Sequence, residues 1–260
     1  MKRALVTGVS RGIGRAVAEM LVAEGWYVLG TCRTTPREWQ GFFDWIASDV
    51  GRVTSTEHLE AFMRETGEPF DALIHCAAVQ GTVGPLADSD PTAWLRAIRT
   101  NLDGAYIMTR LSMPYLMRSD DGRILLFSGG GAFNARPNYS AYAASKAGVV
   151  SLMETLADEL RDTNVTVNCV APGYVPTTMH ETPVPDRGEA MAEAVACVRH
   201  LLSPQTRGLT GKTISAAWDD WRHITPLTVA RVNASTMGTR KREPIAMVGR
   251  LANLGERAVV

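Results

Sequence analysis

The sequence predicts an α/β fold in which a parallel sheet carries helices on both faces. Short apolar runs alternate with segments whose apolar residues recur at helical spacing, and glycine or proline marks most of the changes. Strands that alternate with helices in this way form parallel sheets, and crossovers between parallel strands are right-handed. The expected architecture is therefore a doubly wound, Rossmann-type sheet of about seven strands.

The first elements are the clearest. An apolar run that ends at a glycine predicts a buried strand at Ala4–Thr7, and apolar residues spaced every three or four positions predict a helix over Ile13–Leu21. Gly25 stands where a helix usually ends. Strand character resumes at Tyr27–Leu29 and again at Phe42–Ala47.

The remaining elements continue the alternation. Helices are predicted for Thr54–Thr66, for a long segment that Pro91 opens and that runs to about Arg118, and for the alanine- and leucine-rich segment Ser140–Leu160. The further strands are Ala72–Ile74, Arg123–Phe127, Val165–Val167 and Thr213–Ser215.

We expect one catalytic domain that spans residues 1–260. The segment Met179–His200 interrupts the alternation, and in such folds a segment of this kind often covers the ligand, so it is predicted to be a lid. After Trp221 the pattern fades, and residues 221–260 are left without assigned elements.

Composition excludes several classes of protein. The 27 basic residues balance 27 acidic ones, so the whole chain has no charge that would attract nucleic acid or an anionic membrane. The basic run Arg240–Arg242 is expected to be ordinary solvated surface. The four cysteines form no C-x-x-C pair, so neither a metal site nor a disulfide framework is predicted. With no apolar run near 18 residues, a cytoplasmic location is expected.

A glycine-rich turn joins the first strand to the first helix. Glycines allow a pyrophosphate to approach the backbone closely, and the helix N-terminus offers free N–H groups. The position between a predicted strand and a predicted helix is the context that makes this motif informative. The residues expected to contact the cofactor here are Gly8, Ser10, Arg11, Gly12, Ile13 and Gly14.

The end of the second strand predicts which nicotinamide cofactor binds. An acidic residue there would hold the ribose 2′-hydroxyl of NAD, but the chain has Thr31, Cys32 and Arg33. Arg33 and Arg11 could instead pair with a 2′-phosphate, so NADPH/NADP+ is preferred. Asp49, beyond the third strand, is expected to contact the adenine.

Tyr142 and Lys146 lie one helical turn apart and share a helix face. A tyrosine with a pKa near 10 needs about 4 kcal/mol of phenolate stabilisation to act as a base near pH 7. One cation about 4 Å away supplies roughly that amount at an effective dielectric near 20. Tyr142 could then exchange a proton with an alcohol or carbonyl while hydride moves to or from the nicotinamide.

Together these motifs resemble the short-chain dehydrogenase/reductase family of the single-domain type. The resemblance covers residues 3–216 approximately, and it implies that Tyr142 is the acid/base and that Lys146 lowers its pKa and binds the nicotinamide ribose. It further implies that Asn101 holds a water in a proton relay and that Thr177 contacts the carboxamide. Other positions that this resemblance assigns to the cofactor are Val50, Ala77, Pro172, Gly173 and Val175.

Two positions depart from the family pattern. The chain has His75-Cys76-Ala77-Ala78 where the family has Asn-Asn-Ala-Gly, and His75 is expected to be a hydrogen-bonded structural residue. The family's catalytic serine falls at Gly129, one position after Ser128. Because glycines allow bulges, we expect a shifted register that places Ser128 in the serine's role; the alternative is a site without this donor.

These observations predict an NADP(H)-dependent enzyme that interconverts a secondary alcohol and a ketone. The Ser128–Gly131 stretch and the segment Ile214–Trp221 resemble those of bacterial reductases of sugar, polysaccharide and aminoglycoside pathways, which implies a small polar substrate such as a sugar or aminocyclitol. The alternative is a weakly active or inactive NADP-binding regulator or partner protein. No nucleic-acid, membrane or metal partner is expected, and the family resemblance implies a homodimer or homotetramer.

Overall fold

The computed structural model of the chain describes residues 1–34, 44–177, 179 and 189–235. Its centre is a seven-stranded sheet in the order β3-β2-β1-β4-β5-β6-β7, and every adjacent pair is parallel. The doubly wound fold is thereby confirmed. The strands are β1 (Arg3–Thr7), β2 (Tyr27–Cys32), β3 (Asp44–Ala47), β4 (Ala72–His75), β5 (Gly122–Phe127), β6 (Val165–Ala171) and β7 (Lys212–Ser215).

Helices cover both faces of this sheet. They are α1 (Gly12–Ala23), α2 (Glu57–Thr66), α3 (Pro91–Ile98), α4 (Gly104–Leu116), α5 (Ser140–Glu159), α6 (Glu189–Leu201) and α7 (Val229–Ala234). The single long helix expected from Pro91 is wrong in one respect: a π-helical turn, Arg99–Asp103, separates α3 from α4. Such turns widen a helix locally and are frequent at functional sites.

Two apolar clusters hold the layers together. On one face, Val17 and Leu21 of α1 pack with Val198 and Leu201 of α6 against the sheet. On the other face, side chains of α2, α4 and α5 form the second cluster, which includes Leu59, Met108, Val149 and Met153. The strands between these layers are buried on both sides, which explains their nearly continuous apolar sequences.

The structure changes the expected limits of the lid and the tail. Residues Glu189–Leu201 form α6, whose Cys197 and Val198 are fully buried, so this half of the expected lid is a core-packing helix. Residues 180–188 lie outside the described residues. The tail contributes Trp221, Ile224, Val229 and Val232 to the first cluster, so these side chains anchor the segment 221–235 to the core. Residues 236–260, with the basic run Arg240–Arg242, lie outside the described residues.

The winding of the sheet predicts where a ligand would bind. The chain runs from β1 outward to β3 and then returns to place β4 on the other side of β1. A crevice forms at the carboxyl ends of the strands where the winding reverses, because neighbouring connections leave in opposite directions. Here that point lies between β1 and β4, beside Thr7 and His75.

Two kinds of feature, a membrane-spanning helix and a cluster of metal ligands, are absent from the described ranges. No helix there is long and apolar enough to cross a membrane. In the same ranges, no group of histidine, cysteine and carboxylate side chains is arranged to hold a metal ion.

Candidate active site

A cleft of about 360 Å³ opens at the carboxyl ends of the strands. It brings together nearly all of the residues that the sequence nominates, from the glycine turn, the ends of β2 and β3, α5 and the segment after β6. Those that line it are Gly8, Ser10, Arg11, Gly12, Ile13, Gly14, Arg33, Asp49, Val50, Ala77, Ser128, Tyr142, Lys146, Pro172, Gly173, Val175 and Thr177.

The glycine turn is tightly packed against backbone atoms. Gly8 has φ +76°, and a Cβ there would lie 3.0 Å from the Cα and N of Ala77. A Cβ on Gly14 would lie 2.5 Å from the carbonyl oxygen of Gly8. Side chains are therefore excluded at both positions, and α1 begins directly against the end of β1.

The geometry of the turn suits a dinucleotide phosphate. Arg11 precedes α1 without capping it through its side chain, and the first turn of this helix carries no acidic residue. Its N–H groups therefore face the cleft at the positive end of the helix dipole. Across the cleft, the Cγ2 of Thr177 lies 3.4 Å from the place of a Cβ on Gly12, which shows how narrow the space for a ligand is at this point.

The adenosine end of the cleft carries cations. Thr31 is buried and donates its hydroxyl to the carbonyl of Ile46, while Cys32 is also buried, so neither presents an acid. Arg33 and Arg11 are exposed at the cleft, and within the described part of the chain neither forms an ion pair. Asp49 lines the same end and accepts a hydrogen bond from the amide of Gly51.

His75, the last residue of β4, is buried directly before Cys76 and Ala77, which line the cleft. Its Nδ1 lies 3.1 Å from Oγ1 of Thr7, which also accepts the amide hydrogen of Ala77 at 3.0 Å. Burial and, as the smaller cause, the charge of Lys146 together lower the pKa of His75 to about 3. The imidazole is therefore neutral at pH 7, and its contacts agree with the structural role expected for it.

Asn101 lies in the π-helical turn and connects two walls of the site. Its Oδ1 accepts the amide hydrogen of Val79 at 2.8 Å, and its Nδ2 donates to the carbonyl of Val79 and to Oγ of Ser145, both at 2.9 Å. Because both amide hydrogens bind protein atoms, the water-holding role implied by the resemblance would fall to other atoms of Asn101.

Tyr142 and Lys146 face the cleft from α5, as their spacing predicts. Lys146 Nζ donates to the carbonyl of Phe127 at 2.7 Å and lies 5.8 Å from the centre of the Tyr142 ring. Burial lowers the pKa of Lys146 to about 8, so the ammonium form prevails at pH 7.

The pKa of Tyr142 differs from the sequence-based expectation. Burial raises it, and the cation that lowers it is Arg136 rather than Lys146. The lysine charge is directed to the Phe127 carbonyl, which leaves the phenol protonated at neutral pH in the absence of a ligand.

The expected register shift at Ser128 is wrong. The amide of Ser128 still donates to Val170 of β6, and Gly129 keeps an extended backbone, with φ −166° and ψ 166°. The alternation of β5 therefore continues, and a Cβ on Gly129 would lie 2.8 Å from the Tyr142 hydroxyl. Oγ of Ser128 is buried with no hydrogen-bond partner. The glycine-rich turn begins one residue too late to shift the register.

Several wall residues were not found from the sequence. The segment after β4, including Val79, Gln80 and Val83, lines the cleft, as do Phe127 and Met179. Their apolar or neutral side chains carry no chemical signature. The one indirect signal was Asn101, whose side chain holds the backbone of Val79 in place.

Comparison with known proteins agrees with this geometry. The family model for short chain dehydrogenases matches residues 2–188. The chain belongs to the short-chain dehydrogenase family. Members of this family are oxidoreductases with nicotinamide cofactors.

Individual relatives differ in what their names describe. The chain is 30% identical to a 3-oxoacyl-[acyl-carrier-protein] reductase of Vibrio cholerae over 82% of this chain and 94% of that protein. A Shigella flexneri short chain dehydrogenase complexed with NADP has a TM-score of 0.76 at 27% identity and covers 83% of this chain and 97% of its own. An aldohexose dehydrogenase of Thermoplasma acidophilum has a TM-score of 0.72 at 26% identity, with 82% and 91% covered.

Proposed function

We propose that this dehydrogenase uses NADP(H) to interconvert a secondary alcohol and a ketone on a small polar substrate. The observation that carries the proposal is the placement of the Tyr142 phenol and the Lys146 ammonium in the cleft that the glycine turn opens. A proton-transfer group and a phosphate-binding turn share one crevice, as hydride transfer to a carbonyl requires.

The protonation states favour carbonyl reduction at neutral pH. When bound, NADPH supplies the hydride. Tyr142 is a neutral phenol because burial raises its pKa, so it can donate its proton to the carbonyl oxygen. Lys146 remains charged below about pH 8 and can stabilise the phenolate that this transfer leaves behind.

The preference for NADPH is the finer part of the proposal. It is supported by the exposure of Arg33 and Arg11 at the cleft, where they could pair with a 2′-phosphate, and by Thr31 and Cys32, which supply no carboxylate that would repel it. The Shigella relative is named as a complex with NADP, which agrees with this choice. The names of the relatives include both an acyl and a sugar substrate, and we keep a sugar or aminocyclitol as the proposed substrate class.

The reaction is tested by following NADPH oxidation with a panel of ketones. Tyr142→Phe removes the phenol proton but keeps the ring, so turnover should fall at least 10²-fold while the melting temperature and cofactor affinity persist. Equal turnover by Tyr142→Phe and the unmodified protein would reject Tyr142 as the proton donor.

The cofactor preference is tested by fluorescence titration of NADPH and NADH. Because a charge-assisted phosphate contact contributes about 1.5–3 kcal/mol, NADPH should bind about tenfold or more tightly. Arg33→Asp should weaken NADPH binding more than NADH binding. A preference for NADH in the unmodified protein would overturn this assignment.

Gly129 favours a second candidate function, an inactive NADP-binding regulator, because this position, whose Cβ would lie 2.8 Å from the Tyr142 hydroxyl, carries no hydroxyl. Removal of one preorganised donor commonly costs about 10²- to 10³-fold in rate. Tight NADPH binding with no oxidation in the presence of any ketone would support this alternative.

The proposal also includes the oligomeric state and the location of the protein. We propose a homodimer or homotetramer in the cytoplasm, and light scattering of the purified protein tests the oligomeric state.

A further inference from the structure

The loop from Gly129 to Tyr139, here called the β5–α5 loop, ends in a tight turn. The amide of Tyr139 donates to the carbonyl of Arg136 at 3.2 Å, and between them lie Pro137 and Asn138, whose φ is +70°. Proline followed by a residue with positive φ is typical of a type II turn. The carbonyl of Asn138 also accepts the amide hydrogen of Gly84, which ties the turn to the segment after β4.

This turn places Arg136 beside the proton donor. Its guanidinium carbon lies 4.3 Å from the centre of the Tyr139 ring and 5.7 Å from that of Tyr142. Its Cδ lies 3.6 Å from where a Cβ on Gly131 would stand, so the stem of the side chain lies along the glycine-rich part of the loop. Arg136 is half-buried, and within residues 1–34, 44–177, 179 and 189–235 no carboxylate pairs with it.

The electrostatics around Tyr142 are therefore one-sided. Arg136 and Lys146 lie near the same phenol, and both are cations at pH 7. A partly buried cation without a carboxylate partner can pair with the anionic group of a ligand. At Gly129 there is no side chain that could contribute a hydroxyl to this side of the site.

We propose that Arg136 is a specificity-determining residue that binds an oxyanion, a carboxylate or a phosphate, on the substrate near its reacting carbonyl. The inference rests on the proposed function, whose carbonyl must reach Tyr142. A guanidinium presents a planar set of donors that matches carboxylate and phosphate oxygens. The contact of Arg136 with the Tyr139 ring, 4.3 Å from the guanidinium carbon to the ring centre, holds this side chain next to Tyr142.

Matched pairs of ketones test the proposal. The charged members are acetoacetate, levulinate and dihydroxyacetone phosphate, and the neutral ones are methyl acetoacetate, methyl levulinate and dihydroxyacetone. The unmodified protein should prefer at least one charged member about tenfold or more in kcat/KM. The phosphate pair and the carboxylate pairs distinguish the two kinds of oxyanion.

Substitution at position 136 supplies the decisive comparison. Arg136→Gln should lower kcat/KM about ten- to hundredfold for the preferred charged ketone and change that of its neutral partner less than twofold. Arg136→Lys should recover part of the loss. Arg161→Gln, an exposed arginine beyond the other end of α5, is the matched control and should change neither. An equal loss for both members, or no preference in the unmodified protein, would overturn the inference.

A binding measurement separates this inference from the proposed reaction. If no ketone is reduced, the proposed function fails, and calorimetric titration of the same charged and neutral ketones into the protein with NADP+ decides the role of Arg136. Binding of a charged member that Arg136→Gln weakens tenfold or more supports the oxyanion site. Absence of binding by every charged member contradicts it.

Discussion

The two halves of the cleft are built from different materials. The half proposed to bind the cofactor, here called the cofactor half, lies at the end of β1 and relies on backbone: Gly8 and Gly14 leave no space for side chains, and α1 begins beside them at the cleft. The other half, proposed to face the substrate and here called the substrate half, lies at the end of β5 and the start of α5. It relies on side chains that converge from separate positions, chiefly Tyr142 and Lys146, and Arg136 lies 5.7 Å from the Tyr142 ring. A site made of backbone is recognisable from residue spacing, whereas a site made of side chains depends on the path of a loop.

If the cofactor half is set by backbone contacts, one added methyl group should disrupt it. In Gly14→Ala, the new Cβ would lie 2.5 Å from the Gly8 oxygen, and neither backbone segment can easily move. We expect the free energy of unfolding to fall by about 1–3 kcal/mol and NADPH affinity to fall at least tenfold. Thermal unfolding and fluorescence titration measure the two effects.

Gly130→Ala is the control for this substitution, since a Cβ there meets no atom within 4 Å. It should change the free energy of unfolding by less than about 0.5 kcal/mol. Normal stability and cofactor affinity in Gly14→Ala would show that the turn adapts, and the contrast between the halves would then be lost.

In the substrate half, a substitution at position 129 should change turnover, whereas one at position 128 should not. A Cβ on Gly129 would lie 2.8 Å from the Tyr142 hydroxyl and 3.1 Å from its Cε1, so Gly129→Ser must displace the phenol. We expect turnover to fall about tenfold, even though the substitution restores the family's serine. Ser128→Ala should change turnover by less than about twofold, because the Oγ of Ser128 has no hydrogen-bond partner.

Steady-state kinetics with one ketone decides between these outcomes. A gain in turnover for Gly129→Ser would mean that the phenol moves aside without cost and that the missing hydroxyl was limiting. A large loss for Ser128→Ala would instead revive the shifted register.

His75, at the end of β4, should give a smaller effect, a dependence of stability on pH. The pKa of His75 is lowered to about 3 in the folded chain against about 6.5 unfolded, so protons bind the unfolded state more readily between these values. The contribution of His75 to the free energy of unfolding is therefore most favourable above about pH 6.5 and becomes less favourable as the pH falls below that value. Between pH 7 and 5.5, His75 should account for a loss of about 1 kcal/mol.

Denaturant titrations at both pH values test this effect against His75→Asn, which introduces the residue typical of the family. The unmodified protein should lose about 1 kcal/mol more than the variant over this interval. An identical loss in both proteins would show that His75 can accept a proton in the folded state.

The sequence predicts the fold, and the position of the glycine turn at the cleft, for a physical reason. Alternating apolar runs determine the parallel sheet, and the turn from Gly8 to Gly14 is local, so neither needs knowledge of distant contacts. The register at Gly129 was missed because it depends on the pairing of Ser128 with Val170 of β6. The proximity of Arg136 to Tyr139 and Tyr142 is not predictable from the sequence. It depends on a turn whose geometry is set by the positive φ of Asn138.

The buried charge of Lys146 has a thermodynamic consequence for the whole chain. Its pKa is lowered from 10.5 to about 8, which corresponds to about 3 kcal/mol of destabilisation at neutral pH. That is a sizeable share of the free energy of unfolding of natural domains, which is roughly 5–15 kcal/mol. The ligand-free protein therefore carries a reserve of unfavourable energy at its reactive centre. Any dinucleotide that binds only the folded chain offsets it by mass action, so that the cofactor acts also as a folding ligand.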